Sequence, residues 1–161
     1  MLSIHFYPDS DDEKFASAVR EYVDIWQKDG ERIVRAWEQR TGLKFAESSI
    51  NSIVFNGISH SHPLSLRYDL SLEIKRTTLV HELGHRILFG RRKQKPIDSL
   101  ENHKHLYLVL YDVLIDLYGM DSADVAIEHD KALREINKEA CDWALQFDER
   151  ERQVQLQNIL R

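Results

Sequence analysis

Length, composition and charge exclude several classes of protein before any motif is considered. The chain has 161 residues, of which 42% are hydrophobic and 30% charged, which is typical of one globular domain and not of a disordered chain. The net charge of −5 and the isoelectric point near 5.9 argue against a nucleic-acid partner. The longest uncharged apolar run, Leu106–Tyr111, is far too short to span a membrane.

The first residues and the single cysteine predict a cytoplasmic protein. Met1–Tyr7 has neither the basic flank nor the apolar segment of a signal peptide. Cys141 is the only cysteine of the sequence, so an internal disulfide is excluded, which fits a reducing compartment. Its neighbours Ala140 and Trp143 indicate a buried structural thiol and not a nucleophile.

The first third of the chain predicts a short strand and two helices. Residues 1–7 alternate weakly between apolar and polar side chains, as a short strand does. Apolar residues at helical spacing predict an amphipathic helix over about 11–28, which Asp29 and Gly30 are expected to end. A second helix is expected to follow and to end at Gly42.

The middle of the chain predicts two more strands. Residues 49–56 form an apolar segment of strand length, and Asn56 with Gly57 is a turn signal. Residues 64–70 alternate strictly, which indicates a half-buried strand. We expect a small antiparallel sheet of two or three strands next to the helix that follows.

The remaining sequence is predicted to be helical. Gly90 and Gly119 are expected to end the first two helices of this part of the chain. The basic segment Arg91–Lys95 between them is expected to be a loop. The predicted helices cover about 73–90, 100–118, 122–147 and part of the tail 148–161. The fold class is therefore α+β, mostly helical, in a single domain over residues 1–161.

Two histidines four residues apart form the most informative motif, the segment His81-Glu82-Leu83-Gly84-His85. On a helix both imidazoles lie on one face, and their nitrogens can reach a single Zn²⁺ at about 2.0–2.1 Å. Glu82 then lies beside the metal and can take a proton from a metal-bound water. Gly84 is unfavourable inside a helix, and the close approach of another backbone or of substrate would explain it.

Two imidazoles leave a catalytic zinc one protein ligand short. In the predicted helix 100–118, Glu101, His105, Asp112 and Asp116 fall on one stripe beside an apolar stripe. We favour Asp112 as the third ligand, with Asp116 accepting a hydrogen bond from a ligating histidine. His105 and His103 are the alternatives, since imidazole is an equally good zinc ligand, although His103 lies opposite Asp112 on the helical wheel.

Other polar side chains are weaker candidates. More remote candidate ligands are Glu128, His129, Glu135 and Glu139, for which solvated positions on a late helix are the favoured interpretation. His60 and His62 are expected at the surface, and His5 carries no motif. A donor to the oxyanion is also needed, and the sequence leaves the choice open among Tyr107, Tyr111, Tyr118, His103 and His105.

The segment from His81 to His85 resembles the zincin superfamily of metallopeptidases, and its H-E-L-G-H form is similar to the compact ImmA/IrrE group. That group has two strands, an active helix and a later helix that supplies an acidic ligand in an acid-x-x-x-polar pair. Asp112 and Asp116 match this pair in shape, although the family usually has Glu at the position of Asp112. The resemblance implies His81, His85 and Asp112 as zinc ligands, Glu82 as general base and Asp116 behind the ligands.

The same resemblance implies how a substrate is held. In zincin-type enzymes the strand beside the active helix is an edge strand that pairs with an extended peptide. Residues 64–70 are the candidate for this strand, and an ordinary core strand is the alternative.

We therefore expect a zinc-dependent metallopeptidase that acts on a peptide or protein substrate, without nucleic acid or membrane. Its helical N-terminal part covers about 1–45, its catalytic core about 50–118 and its C-terminal helices about 122–161. The alternatives are a non-catalytic zinc-containing binding or regulatory module that retains the site, and a zinc hydrolase of non-peptide substrates.

Overall fold

The computed structural model describes residues 2–89 and 99–160 and shows a mostly helical protein with a small three-stranded sheet. The elements in chain order are β1 (Ser3–Pro8), α1 (Glu13–Thr41), β2 (Ser49–Phe55), β3 (Leu64–Arg67), α2 (Leu72–Phe89), α3 (Ser99–Tyr118), α4 (Met120–Leu133), α5 (Glu135–Leu145) and α6 (Glu149–Leu160). The predicted helix end at Gly90 and the predicted basic loop Arg91–Lys95 lie outside the described residues. Across the described ranges every helix falls short of a bilayer span in length or in apolar content.

The sheet is parallel, so the predicted antiparallel arrangement is wrong. Strand β2 lies between β1 and β3 and runs parallel to both. Helix α1 connects β1 to β2, and a helical crossover of this kind brings the chain back in the same direction. Strand β3 begins at Leu64, which lies opposite Ser52 of β2. The loop that leaves β2 after Phe55 therefore has to go back along β2 by the length of three residues, or about 10 Å, to reach the start of β3. A short loop therefore suffices for a parallel pair.

Helix α1 continues through the position where the sequence predicts a break. Asp29 is 1% exposed inside the helix, and its carboxylate accepts hydrogen bonds from Arg32 at 3.1 Å and Arg76 at 3.3 Å. These arginines satisfy the carboxylate of Asp29, which the sequence predicts at a helix end. The helix therefore continues past Gly30 without interruption. It ends at Gly42, whose φ of 70° matches the predicted cap.

The glycine inside the histidine motif, Gly84, is explained by side-chain packing. A Cβ on Gly84 would lie 2.3 Å from the indole of Trp37 and 2.5 Å from the side chain of Leu106. Trp37 is fully buried and donates a hydrogen bond from Nε1 to the carbonyl of Val80 at 3.1 Å. Gly84 thus lets α1 and α3 pack closely against α2, and the expected backbone or substrate approach is wrong.

The C-terminal part contains a break that the sequence does not predict. The expected helix over 122–147 is divided into α4 and α5 by Arg134, which has extended backbone angles of φ −155° and ψ 139°. Gly119, with φ 86°, separates α3 from α4 as predicted. Cys141 is buried in the core, as its neighbours indicate.

Candidate metal centre

Helix α2 carries the histidine motif on its most buried stretch. His81 and Glu82 are 7% and 6% exposed, and the ring centroids of His81 and His85 are 5.0 Å apart. The four-residue spacing therefore brings both imidazoles to the same side of the helix, as expected.

A third imidazole, from His103 in the first half of α3, joins this pair. Its ring centroid lies 5.9 Å from that of His81 and 4.9 Å from that of His85. The three possible ligand atoms lie within 4.8 Å of one another. Nitrogen ligands of a tetrahedral zinc are about 3.3 Å apart for bonds of 2.0–2.1 Å, so these atoms would have to come closer by at most about 1.5 Å to hold the ion. This donor set fits zinc, which accepts three protein ligands and an open fourth position in catalytic sites.

Asp130 on α4 lies behind the first of these histidines. Its Oδ2 is 2.8 Å from Nδ1 of His81 and accepts a second hydrogen bond from the hydroxyl of Tyr107 at 3.0 Å. A carboxylate at Nδ1 fixes the ring orientation and leaves Nε2 for a metal. Asp130 therefore has the position that the sequence analysis assigns to Asp116.

The environment of the three imidazoles prepares them differently for a metal. Burial opposes charge on His81, but the charge and hydrogen bond of Asp130 outweigh it and raise the pKa of His81 to about 9. Burial and the neighbouring imidazoles lower the pKa of His85 well below its ordinary value, and burial also lowers the pKa of His103. Because a ligating imidazole must be neutral, His85 and His103 are ready to bind, whereas a metal must displace a proton from His81.

The pKa of the Glu82 carboxyl group is raised toward neutral pH. Burial raises its pKa to about 7, and Asp130 adds to this effect, whereas His81 opposes it. A group with a pKa near the working pH can both accept and return a proton, which is the requirement for a general base.

A cavity of about 240 Å³ opens beside these residues, and we call it the histidine cavity. One wall is α2 with His81, Glu82 and His85; the others are the start of α3, the junction of α4 with α5, and the loop over 58–61. Arg86 holds this loop because its guanidinium donates to the carbonyl of Ser61 and pairs with Glu47. The candidate ligands and Glu82 therefore face one space large enough for part of a substrate.

Asp112, the favoured third ligand, is directed elsewhere. Its two carboxylate oxygens accept hydrogen bonds from Arg152 of α6, at 3.1 Å from Nε and 2.5 Å from Nη2, and both side chains are buried. Helix α3 begins at Ser99 and thus includes His103, nine residues before Asp112. Nine residues at 100° each put the two side chains on opposite faces, so a helix that directs His103 to the motif directs Asp112 away from it.

Asp116 and His105 are also outside the imidazole cluster. Asp116 forms two hydrogen bonds with Arg40 of α1, at 2.6 and 2.7 Å. His105 lies 3.8 Å from Glu101 one turn earlier, and it does not line the histidine cavity. The two aspartates of the predicted polar stripe on α3 thus form ion pairs with α6 and α1.

The remaining predicted candidates divide between the cavity and the surface. His129 and His60 line the histidine cavity, and His60 and His62 are exposed, as expected. The other candidates, Glu128, Glu135, Glu139 and His5, are exposed. His62 lies next to the cavity loop, where it contacts Ser61 at 3.0 Å. The three tyrosine hydroxyls predicted as oxyanion donors, those of Tyr107, Tyr111 and Tyr118, are hydrogen-bonded to Asp130, Asp124 and Asp29.

Strand β3 is an edge strand beside α2, but its outer backbone is already used. The amide of Ser65 donates to the carbonyl of His60, and the amide of His60 donates to the carbonyl of Ser65, each at 2.9 Å. The amide of Arg67 donates to the hydroxyl of Ser59 at 2.9 Å, and its carbonyl accepts from Tyr22. A peptide added along 64–67 would therefore have to displace the protein's own loop.

Sequence reasoning missed Asp130 and the arginine at the α4–α5 junction, Arg134. Neither has a motif, since each is one polar residue in a helical segment rich in charge. The nearest signal is the position of Asp130 next to His129, a residue that the sequence analysis does consider.

Comparisons of this chain with family models, with curated proteins and with solved structures find no match. The functional argument therefore depends on the geometry of the site itself.

Proposed function

We propose that this protein is a zinc-dependent metallopeptidase. The observation that carries the proposal is the meeting of His103 from α3 with His81 and His85 from α2, in a cavity that Glu82 also lines. Three imidazoles with an adjacent carboxylate correspond to a catalytic site, because a structural zinc site is closed by four protein ligands. The location in the cytoplasm is part of this proposal and is supported by the composition alone.

The residues of the chain would divide the chemistry as follows. His81, His85 and His103 would hold the zinc, and Asp130 would keep the His81 ring oriented through Nδ1. When bound, zinc lowers the pKa of a coordinated water toward about 7 and polarises a carbonyl group. Glu82 would remove the proton from the attacking water and return it to the leaving amine. Glu82 is only 6% exposed, which limits its contact with bulk solvent.

His129 is the imidazole we assign to the oxyanion. It lines the histidine cavity, and its buried Nε2 has no hydrogen-bond partner among the described residues. The three tyrosines are less suitable because each hydroxyl already has a carboxylate partner. The substrate would be held along the cavity loop and the α4–α5 junction, since the edge of β3 at Ser65 is occupied.

The decisive variant is Glu82→Gln, which removes the base but keeps the size of the side chain. We expect it to retain stoichiometric zinc and to lose about 10²–10⁴ in kcat, which is the usual contribution of a general base. The measurements are zinc content by atomic emission and hydrolysis of a casein substrate and of a quenched peptide library. The control is Glu73→Gln, the same change at an exposed position of the same helix.

Two outcomes would contradict the proposal. A Glu82→Gln variant with full activity would remove the mechanism. A wild-type protein that holds zinc but hydrolyses neither casein nor any library peptide would instead support the non-catalytic module, or a hydrolase of other substrates.

A further inference from the structure

One wall of the histidine cavity is formed by the junction of α4 and α5. Arg134 is the single extended residue between these helices, and it lines the same cavity as His81, Glu82 and His103. In a continuous helix, the direction of the side chain at residue 134 would be set by the helical period. The break therefore determines where this guanidinium lies.

The charge of Arg134 has no carboxylate partner among residues 2–89 and 99–160. Arg134 is exposed, and the salt bridges of the described residues do not include it, although the protein has a net charge of −5. Arg67, which also lines the cavity, differs because both oxygens of Asp69 hold its guanidinium. Arg134 is close enough to His103 that its charge adds to the effect of burial in lowering the pKa of His103.

A buried acceptor lies one turn beyond this arginine. Asn137 is 5% exposed and lines the cavity, and its Oδ1 has no hydrogen-bond partner in the described part of the chain. Its main-chain amide donates to the carbonyl of Arg134 at 3.0 Å, which fixes the two residues relative to each other. A buried polar atom without a partner is destabilising, so a ligand that donates an N–H to Oδ1 of Asn137 removes that cost.

We propose that Arg134 and Asn137 form a recognition site for a substrate residue that carries a carboxylate. The guanidinium of Arg134 pairs with the carboxylate, and Oδ1 of Asn137 accepts the main-chain N–H of the same residue. This inference rests on the proposed peptidase function and adds a substrate class to it. The carboxylate has two possible sources, the C-terminus of a peptide and an Asp or Glu side chain.

Four matched quenched peptides distinguish these sources. They share one sequence and carry either Glu or Gln at the tested position, each with a free or an amidated C-terminus. We expect the wild-type protein to prefer the carboxylate member of at least one pair by about ten- to hundredfold in kcat/KM, the range for a hydrogen-bonded charge pair. The pair that shows the preference identifies the source.

Variants then assign the preference to the junction. In Arg134→Gln the ratio of kcat/KM values is expected to fall close to one, and Arg134→Lys is expected to restore part of it. The control is Arg150→Gln, which removes the same charge from an exposed position outside the histidine cavity and should keep the wild-type ratio. Zinc content, measured in parallel, should stay the same in all three variants.

The possible failures can be told apart. If peptides are cleaved without a carboxylate preference, or if Arg134→Gln keeps the preference, the recognition site is overturned and the peptidase proposal stands. If no peptide is cleaved, the peptidase proposal falls. The recognition site is then tested by binding of the labelled peptides to zinc-loaded Glu82→Gln protein. Binding that favours the carboxylate and depends on Arg134 supports the recognition site, and binding without that dependence overturns it.

Discussion

Helix α3 carries polar side chains with tertiary partners in both of its halves, and the two halves differ in what those partners are. In the first half, His103 meets two imidazoles of α2, and the described structure brings no carboxylate to the centre of this group. In the second half, Asp112 and Asp116 each meet an arginine, Arg152 from α6 and Arg40 from α1. The difference teaches that the role of a polar residue, as metal ligand or as ion-pair partner, depends on the residues it contacts and not on its position on a helical wheel.

The largest expected effect is on stability, from Asp112→Ala. This variant leaves the Arg152 guanidinium buried without its carboxylate, which costs about 3–5 kcal/mol in the free energy of unfolding. Chemical denaturation measures the loss, and zinc affinity of the folded protein is expected to stay at the wild-type value. Asp116→Ala is the matched control, because its partly exposed pair should cost only about 0.2–1 kcal/mol.

If the single variant does not fold, a double variant keeps the comparison testable. Asp112→Leu combined with Arg152→Met removes both buried charges and is expected to fold and to bind zinc. Loss of zinc from this protein, with its helical content intact, would return Asp112 to the metal site and overturn the comparison.

The second effect is on zinc affinity, from His103→Ala. Removal of a ligand should weaken zinc binding by more than about a hundredfold. Loss of a residue that only hydrogen-bonds to a ligand already lowers metal affinity about 10–100-fold. Competition with a chromophoric chelator measures the dissociation constant. His105→Ala removes an imidazole two residues away on a different face of α3 and should leave the affinity unchanged; equal losses in both variants would speak against the His103 assignment.

The smallest effect is expected from Asp130→Asn, which keeps the shape of the side chain but removes its charge. Since Asp130 supports His81 through Nδ1, zinc affinity should fall by about 10–100-fold. Asp124→Asn, on the same helix but exposed and bonded to Tyr111, serves as the control in the same chelator assay. An Asp130→Asn protein with wild-type affinity would show that His81 does not need this carboxylate.

Local patterns in the sequence are sufficient for the parts of the fold that depend on neighbouring residues. The helical caps at Gly42 and Gly119 follow from glycine's access to positive φ, and the strand over 49–55 follows from its apolar run. The continuous helix through Asp29 is not predictable in this way, because the groups that satisfy its carboxylate include Arg76 of another helix. The parallel sheet is only partly readable, since the strand–helix–strand order indicates it but the short loop before β3 suggests a hairpin.

For the candidate site the sequence by itself determines one helix, and the tertiary structure decides the rest. The spacing of His81 and His85 fixes their common face and the position of Glu82 between them, because the period of a helix is a local property. His103, Asp130 and Arg134 enter the same cavity only because α3 and the α4–α5 junction pack against α2. Their identity as partners depends on contacts between residues far apart in the chain, and no local period encodes such contacts.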